Sequence, residues 1–353
     1  MKEILRRHAF SVTFLVILIG FVFFSGGDDE LQRLSGFTMG TTFQVQLPEI
    51  PDGIDRETLV AEIAALLGRL DREIFSTYAP DSELSRFNRH GVGTPFLASR
   101  EMIEVLSLSN EISELSDGAF DVTVGPLVNL WGFGPEINPQ AQVPMQSAID
   151  NALENVGYRH LLVDAAASRI RKTRDVSVDL SAVAKGYAVD KLGEYLDELG
   201  AESYFLEVGG ELKIKGLKPG GESWVPAIEA PLDGASRVYE IFYSRGESIA
   251  VAGSGDYRNY FELDGVRYSH EIDPRTGRPV THNLAAVYVI DSSVARADAL
   301  ATAFMVMGLD AARSLAQRQG QAAYFIYKEG DGFADYVTPQ FRRYLSDDGE
   351  SSQ

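Results

Sequence analysis

Residues 268–280, YSHEIDPRTGRPV, concentrate groups that can move protons. They place His270 directly before Glu271, with Asp273 two residues further on. A histidine side chain changes its charge near neutral pH, so His270 can act as a general base towards a hydroxyl group. The alternative is that His270 only packs at the edge of a hairpin. The local sequence leaves both interpretations open.

A second set of polar groups lies in ARADALATAFMVMG, residues 295–308. Asp298 and Thr302 are four residues apart, which places them on the same face of a predicted helix. A carboxylate and a hydroxyl are oxygen ligands of the kind that Mg²⁺ accepts. Alternatively, the helix dipole favours the carboxylate near the N-terminus and the threonine bonds back to the backbone.

A possible anion site lies in VDLSAVAKGYAVDKL, residues 178–192. Asp179 ends a predicted strand, and a helix is expected to begin near Ser181, with Lys185 one turn later. Free N–H groups at a helix start and a lysine one turn on suit a phosphate group. The simpler alternative makes Ser181 an N-cap and leaves Lys185 on a solvated face.

Residues 116–134, SDGAFDVTVGPLVNLWGFG, are rich in glycine and aromatic side chains. Phe120, Trp131 and Phe133 can line a slot for a planar ring, with Asp121 beside it. They can equally well belong to the core.

The composition excludes several classes of chemistry. The chain has no cysteine, so disulfides, thiolate nucleophiles, zinc-thiolate sites and iron-sulfur clusters are absent. A formal charge of -19 over 353 residues disfavours nucleic-acid binding through the bulk surface. An anionic ligand would therefore need a local cation, which is a first indication of a metal ion.

The amino-terminal residues 1–30 resemble an export signal. Lys2, Arg6 and Arg7 precede an apolar run from about Ala9 to Phe24. This pattern predicts a signal peptide or a membrane anchor, with the rest of the chain on the periplasmic side of a bacterial inner membrane. Without cysteine, the protein is not expected to be a lipoprotein.

The remaining sequence predicts an α+β fold. Amphipathic helical patterns dominate the early part, and short β-rich runs follow from about residue 160, interrupted by helices at about 181–199 and 296–308. We expect one domain over residues 31–345, in which an early helical subregion packs on a mostly antiparallel sheet. Residues 346–353 are expected to form a disordered acidic tail.

Several blocks together closely resemble one family. They are, in sequence order, MGTTF, STYAPDSELSRFN, GAFDVTVGPL, VDLSAVAKGYAVD, VGGELKIKG, SGDYRNYF, YSHEIDPRTGRPV and ADALATA. Through these blocks the chain resembles the ApbE family, the FAD:protein FMN transferases, from about Ser35 to Phe304 and on towards Tyr344.

The resemblance implies a T-fold-like architecture and an exported, Mg²⁺-dependent enzyme. Such an enzyme cleaves the FAD pyrophosphate, attaches FMN to a threonine or serine of an acceptor protein, and releases AMP. The implied acceptor carries a motif like Ser/Thr-Gly-Ala-Ser/Thr-x-Thr and is typically an exported subunit of a respiratory sodium-pumping complex.

Individual site residues follow from the same resemblance. Asp298 and Thr302 match the metal ligands, with the backbone carbonyl of Ala182 as a third. Asp298 and His270 match the catalytic positions, His270 being the histidine that activates the acceptor hydroxyl. The implied FAD contacts are Met39, Tyr78, Ala119, Phe120, Asp121, Asp179, Lys185 and Ile272.

Two positions depart from the common pattern. Glu207 stands where asparagine is frequent before Gly-Gly, which puts a flavin contact in doubt, and AGSGDY replaces the more usual STSGDY. Neither change removes a matched catalytic residue.

These groups suit phosphoryl transfer, which needs charge neutralisation and an activated nucleophile. Mg²⁺ and Lys185 would supply the first and His270 the second, with Asp273 as an expected orienting partner for the ring. Two alternatives use the same site. Water in place of the acceptor would give an FAD pyrophosphatase, and without metal chemistry the protein would only bind FAD.

Overall fold

The largest sheet of the described chain has eight strands. In their spatial order they are β1 Gln32–Thr38, β2 Thr41–Leu47, β6 Tyr204–Val208, β7 Glu211–Gly216, β10 Gly246–Gly255, β15 Leu284–Asp291, β16 Ala322–Glu329 and β17 Gly332–Val337. Every neighbouring pair in this sheet is antiparallel. The predicted α+β class with an antiparallel sheet is confirmed.

The structure is a computed structural model that describes residues 31–134, 143–232, 237–256, 260–263 and 266–345. The predicted signal or anchor segment, residues 1–30, and the predicted acidic tail, residues 346–353, lie outside the described residues. Within the described part of the chain, no helix is long and apolar enough to cross a membrane.

The α-helices of the described chain are α1 Arg56–Gly68, α2 Glu83–Asn88, α3 Arg100–Leu115, α4 Gly125–Leu130, α5 Gln146–Leu153, α6 Ala184–Glu198, α7 Val294–Met307, α8 Leu309–Gln319 and α9 Pro339–Arg342. The larger ones pack on one face of the sheet, whereas Phe341 of α9 belongs to the apolar cluster on the other face. Of these, α1, α3, α6 and α7 share the main apolar core with the sheet. The early helices α1 to α3 form the expected helical subregion.

Small sheets complete the fold. Short strands β3 Phe96–Leu97, β4 Leu161–Asp164 and β5 Arg169–Lys172 pair beside the early helices, and β8 Ala227–Glu229 pairs with β9 Val238–Ile241. Near the segment of residues 268–280, β11 Tyr260–Leu263 pairs with β12 Val266–Ser269, and β13 Ile272–Asp273 pairs with β14 Arg278–Pro279.

The helix boundaries test the capping predictions. Ser99 caps α3, because its side chain accepts a hydrogen bond from the backbone N–H of Met102 at 3.2 Å, as expected. Ser181 does not cap a helix: α6 begins only at Ala184. The N–H of Ser181 instead donates to Oδ1 of Asp179 at 2.8 Å, closing a local turn that delays the helix.

At one end of the sheet, strands β6 and β7 stop before the strands on either side of them, β2 and β10. Strands β6 and β7 meet at a two-residue turn, Gly209–Gly210, where both residues have positive φ (60° and 101°). On one side Thr41–Thr42 of β2 continue past this turn, and on the other side Gly253–Gly255 of β10 do so. The result is a notch in the sheet edge, lined by backbone and small side chains, that joins the two faces.

Candidate active site

A cavity of about 620 Å³ surrounds this notch. On the helix side it is lined by Lys185 of α6 and by Asp298 and Thr302 of α7. On the opposite face its lining is largely apolar and includes Phe205, Leu212, Ile228, Phe242, Val251 and Tyr288. The cavity therefore offers a polar centre beside an apolar lobe.

Asp298 and Thr302 both line the cavity from the same face of α7, as their spacing predicts. Asp298 is buried, and its Oδ2 accepts a hydrogen bond from the backbone N–H of Gly186 at 3.2 Å. Burial raises the pKa of Asp298, whereas the Lys185 ammonium opposes that change. The carboxylate is thus anchored to the start of α6. Its negative charge is buried, which is unfavourable unless a cation lies nearby.

Lys185 forms an ion pair with Glu211 of β7 across the helix side of the cavity. Burial disfavours the ammonium, but the charges of Glu211 and Asp298 outweigh it and raise the pKa of Lys185. Burial also raises the pKa of the Glu211 carboxyl. Lys185 is therefore a cation held inside the cavity, where an anionic ligand can compete for it.

The lining carries more acidic than basic groups. Its carboxylates are Asp121, Asp179, Glu207, Glu211, Glu229, Glu271 and Asp298, against the cations Lys185 and Arg237. A pyrophosphate would be repelled by this surface unless a further cation bound with it.

The residues present fit a hard divalent cation. Mg²⁺ usually takes one or two protein carboxylates and completes its shell with water and substrate phosphates. Asp298 and Thr302 would offer such an ion two oxygen atoms one turn apart, and Ala182 lines the same cavity. Among the described residues no three histidine or carboxylate side chains gather into a protein-only metal site, so phosphate oxygens would have to complete the shell.

Glu207 is a buried carboxyl group at the notch. Its Oε1 accepts a hydrogen bond from the N–H of Gly210 at 2.7 Å, which fixes the turn between β6 and β7. Burial raises the pKa of Glu207 from its ordinary 4.5 to about 7, although the Gly210 N–H and Lys185 oppose the change. Near neutral pH this group can therefore carry a proton.

Glu207→Gln should change how stability depends on pH. The folded chain binds the Glu207 proton more tightly than the unfolded chain, so this group lowers stability as pH rises from about 4.5 to about 7. We expect the wild type to lose roughly 3 kcal/mol more than the glutamine variant across this window. Urea unfolding at several pH values measures the difference; parallel pH profiles for the two proteins would contradict the assignment.

Gly186 brings α6 and α7 together at the point where Asp298 is anchored. A Cβ on Gly186 would lie 2.6 Å from the carbonyl oxygen of Val294. Only a residue without a side chain allows this approach.

Gly186→Ala should destabilise the protein by about 1–3 kcal/mol in urea unfolding, because backbone atoms cannot yield as side chains do. Gly193→Ala, in the same helix, is the matched control: there the nearest atom is Cδ of the flexible Lys213 side chain. Equal stability of the two variants would show that the helix contact is not restrictive.

The loop before α4 brings Ala119, Phe120 and Asp121 to the cavity wall. Both oxygens of Asp121 are engaged: Oδ1 accepts from the N–H and hydroxyl of Thr123, and Oδ2 from the N–H of Tyr158. Burial raises the pKa of Asp121. Here Asp121 shapes the wall of the cavity through the backbone.

The aromatic side chains predicted to line a ring slot differ in how they lie relative to the cavity. Phe120 is buried in the cavity wall, Trp131 packs in the small core around α4 and α5, and Phe133 faces both the cavity and His270. Tyr78 lies at the rim with 78% of its surface exposed, a free ring face beside the cavity.

Of the other predicted FAD contacts, three line the cavity and one does not. Asp179, Lys185 and Ile272 line the cavity. Met39 does not: it lies in the β1–β2 turn with φ of 48°, and its N–H donates to Oδ2 of Asp71 at 3.0 Å. Its neighbours Thr41 and Thr42 reach the cavity instead.

His270 lines the cavity between β12 and β13. Oε1 of Glu271 lies 3.7 Å from its Nε2, and the ring of Phe133 meets the imidazole edge to face at 6.3 Å. The expectation that Asp273 orients this ring is wrong, because Arg275 takes both oxygens of Asp273, at 2.9 Å each.

Sequence reasoning missed three groups at this site, Glu211, Ser254 and Glu271. Glu211 reaches Lys185 only because the β6–β7 turn folds back, and Ser254 reaches Glu271 from a different strand. Glu271 was visible beside His270, but adjacency in an extended segment does not show which carboxylate approaches the ring.

The sequence profile of the ApbE family matches residues 39–326. The FAD:protein FMN transferase of Vibrio cholerae serotype O1 is 42% identical over 334 residues, covering 94% of this chain and 98% of the relative. The Escherichia coli K12 protein of the same name is 40% identical over 348 residues, covering 95% and 98%.

Solved structures of the same family are also similar to this chain. The apo crystal structure of the Pseudomonas stutzeri flavinyl transferase ApbE superposes with a TM-score of 0.81 at 42% identity, covering 89% of this chain and 96% of that one. The flavin transferase ApbE from Vibrio cholerae gives 0.82 at 42% identity, covering 90% and 99%.

Proposed function

This chain belongs to the ApbE family and is a transferase, and we propose that it moves the FMN half of FAD onto an acceptor protein in a Mg²⁺-dependent reaction. The acceptor group is a threonine or serine hydroxyl in a motif like Ser/Thr-Gly-Ala-Ser/Thr-x-Thr. FAD is the donor substrate and AMP the leaving product.

One observation carries the proposal: a single cavity collects Asp298, Thr302, Lys185 and His270. The first three suit a pyrophosphate with its counter-cation, and the histidine suits proton removal from a hydroxyl. The exposed ring of Tyr78 and the apolar lobe beyond the notch offer surfaces for ring systems. This arrangement matches a dinucleotide with two rings joined through phosphates.

The reaction exchanges one P–O bond for another. The acceptor oxygen forms a bond to the phosphorus of the FMN half, while the bond from that phosphorus to the AMP oxygen breaks and AMP leaves with the electron pair. His270 takes the proton of the attacking hydroxyl, and Lys185 leaves Glu211 to contact phosphate oxygens.

Asp298, Thr302 and the carbonyl of Ala182 would hold Mg²⁺, which when bound supplies positive charge against the phosphate oxygens. The chain's own groups do the positioning. The Gly186 N–H fixes Asp298. The Lys185 side chain passes close to the Gly209–Gly210 turn: a Cβ added at Gly209 would lie 3.2 Å from Cδ of Lys185.

We further propose that the protein works on the periplasmic side of a bacterial inner membrane, anchored by residues 1–30 or released by cleavage of that segment. Its acceptors are then exported flavoproteins, including respiratory complex subunits. The overall charge of -19 disfavours a nucleic-acid partner.

Release of AMP with and without an acceptor tests this function. With FAD and Mg²⁺, AMP should form in proportion to the modified acceptor and slow strongly when the acceptor is omitted. Equal AMP release in both cases would favour an FAD pyrophosphatase, and no AMP in either would favour a protein that only binds FAD.

A further inference from the structure

We propose that Glu271, supported by Ser254, is a positioning residue that holds the His270 imidazole for proton transfer, an inference that rests on the proposed transferase function. The sequence motifs alone assign no role to the Glu271 side chain.

The contact geometry supports this role. Glu271 is 8% exposed, and its Oε1 lies 3.7 Å from Nε2 of His270. The same oxygen accepts a hydrogen bond from the Ser254 hydroxyl at 3.0 Å. The backbone N–H of Glu271 donates to Oγ of Ser269 at 3.1 Å, so the residue is fixed at both ends. A buried carboxylate with a hydrogen-bond donor keeps a defined orientation.

The aromatic neighbours of His270 restrict its ring from another direction. Phe133 meets the imidazole at an interplanar angle of 67° and packs in turn on Phe261, with 5.5 Å between the ring centroids. Phe261 stacks on Tyr268 at 5.0 Å, and Tyr268 on Trp131 at 5.8 Å. The imidazole therefore lies between an aromatic stack and a carboxylate, and each of these contacts restricts its orientation.

Other charged groups of the described chain near this site are paired or line other parts of the cavity. They include the Asp273–Arg275 pair after the turn, Asp256 after β10 with Lys328 at 4.0 Å, and the further charged groups of the cavity lining named above. Because Arg275 neutralises Asp273, that pair adds little net field at the imidazole.

When His270 accepts the proton of the acceptor hydroxyl, its ring becomes positively charged. The Glu271 carboxylate stabilises that imidazolium by proximity, and stabilises it more than the neutral ring. Its contribution thus appears in the chemical step rather than in FAD binding.

Glu271→Gln should lower kcat for acceptor modification by about tenfold and change the Kd for FAD far less, because shape is kept and the charge beside His270 is lost. Glu271→Asp should recover part of the loss. Glu262→Gln, which removes an exposed carboxylate on β11, is the matched control and should behave like the wild type.

A double-mutant cycle with His270→Ala separates positioning from a general structural role. If Glu271 acts through His270, its substitution costs nothing further in the alanine background. An equal loss in both backgrounds would overturn the proposal. A wild type that releases AMP but modifies no acceptor would instead overturn the proposed function.

A readout without turnover tests the contact itself. In histidine-labelled full-length enzyme, the NMR signal of the His270 ring should change its chemical shift in Glu271→Gln, because the carboxylate beside Nε2 has lost its charge. The His270→Ala spectrum identifies the signal. An unchanged signal would overturn the proposal even if transfer activity is confirmed.

Discussion

Asp298→Asn should reduce FMN transfer by at least about 10³-fold, because a charged oxygen ligand at the pyrophosphate is lost. The asparagine keeps the shape of the side chain and can still accept the hydrogen bond from the Gly186 N–H. The fold should therefore survive while the charge does not. Acceptor modification at saturating FAD and Mg²⁺ measures the loss, and calorimetric Mg²⁺ binding should weaken in parallel.

Asp190→Asn is the matched control for this substitution. Asp190 is also a buried carboxylate beside α7, where it accepts hydrogen bonds from the N–H of Ala295 and the hydroxyl of Ser293 and pairs with Lys213. It does not line the cavity. Its loss should lower the free energy of unfolding but leave transfer by the folded enzyme close to wild type. Near-normal transfer by Asp298→Asn would contradict a metal role for Asp298.

The local part of this site could be predicted from sequence. Asp298 and Thr302 share a helix face because helical spacing alone puts them there. The end of α7 at Gly308 follows from a short-range signal, whereas its start at Val294, capped by Ser293, lies two residues before the expected 296. What spacing could not show is the distance across the fold, such as the close approach of Gly186 to Val294 that anchors Asp298.

His270→Ala should lower acceptor modification by about 10²- to 10⁴-fold, the usual contribution of a positioned general base. FAD binding should change little, because the ring acts on the acceptor hydroxyl and not on the phosphates. Equilibrium binding of FAD, measured beside the rate of transfer, separates the two effects.

His160→Ala is the control for loss of an imidazole. His160 contacts Thr173 through Nδ1 at 3.1 Å and does not line the cavity. It should keep wild-type transfer. If His270→Ala also transfers FMN at the wild-type rate, His270 is not the base.

The sequence could not predict which carboxylate approaches the His270 imidazole. The segment offered two carboxylates, and pattern alone favoured Asp273 in the turn. In the fold Asp273 bonds to Arg275 two residues away, a local contact that satisfies the turn itself. The carboxylate that reaches the imidazole is fixed by Ser254, seventeen residues earlier in sequence on a different strand. Such a contact depends on the register of β10, which no short-range signal specifies.

The notch in the sheet could not be predicted from the sequence either. Gly209–Gly210 could be recognised as an unusual pair in a strand, but its meaning depends on how far β2 and β10 extend beyond it. Strand lengths in a sheet are settled by pairing partners distant in sequence, so the two-sided cavity emerges only in the folded chain.

Intact-mass spectrometry of an acceptor protein bearing the Ser/Thr-Gly-Ala-Ser/Thr-x-Thr motif tests the central claim most directly. After incubation with the enzyme, FAD and Mg²⁺, we expect the acceptor to gain the mass of one FMN less one water. The gain should disappear with Asp298→Asn, with chelator, and when the threonine and serine residues of the motif are replaced by alanine. An acceptor of unchanged mass, in a mixture where FAD is bound or hydrolysed by the enzyme, would contradict protein FMN transfer.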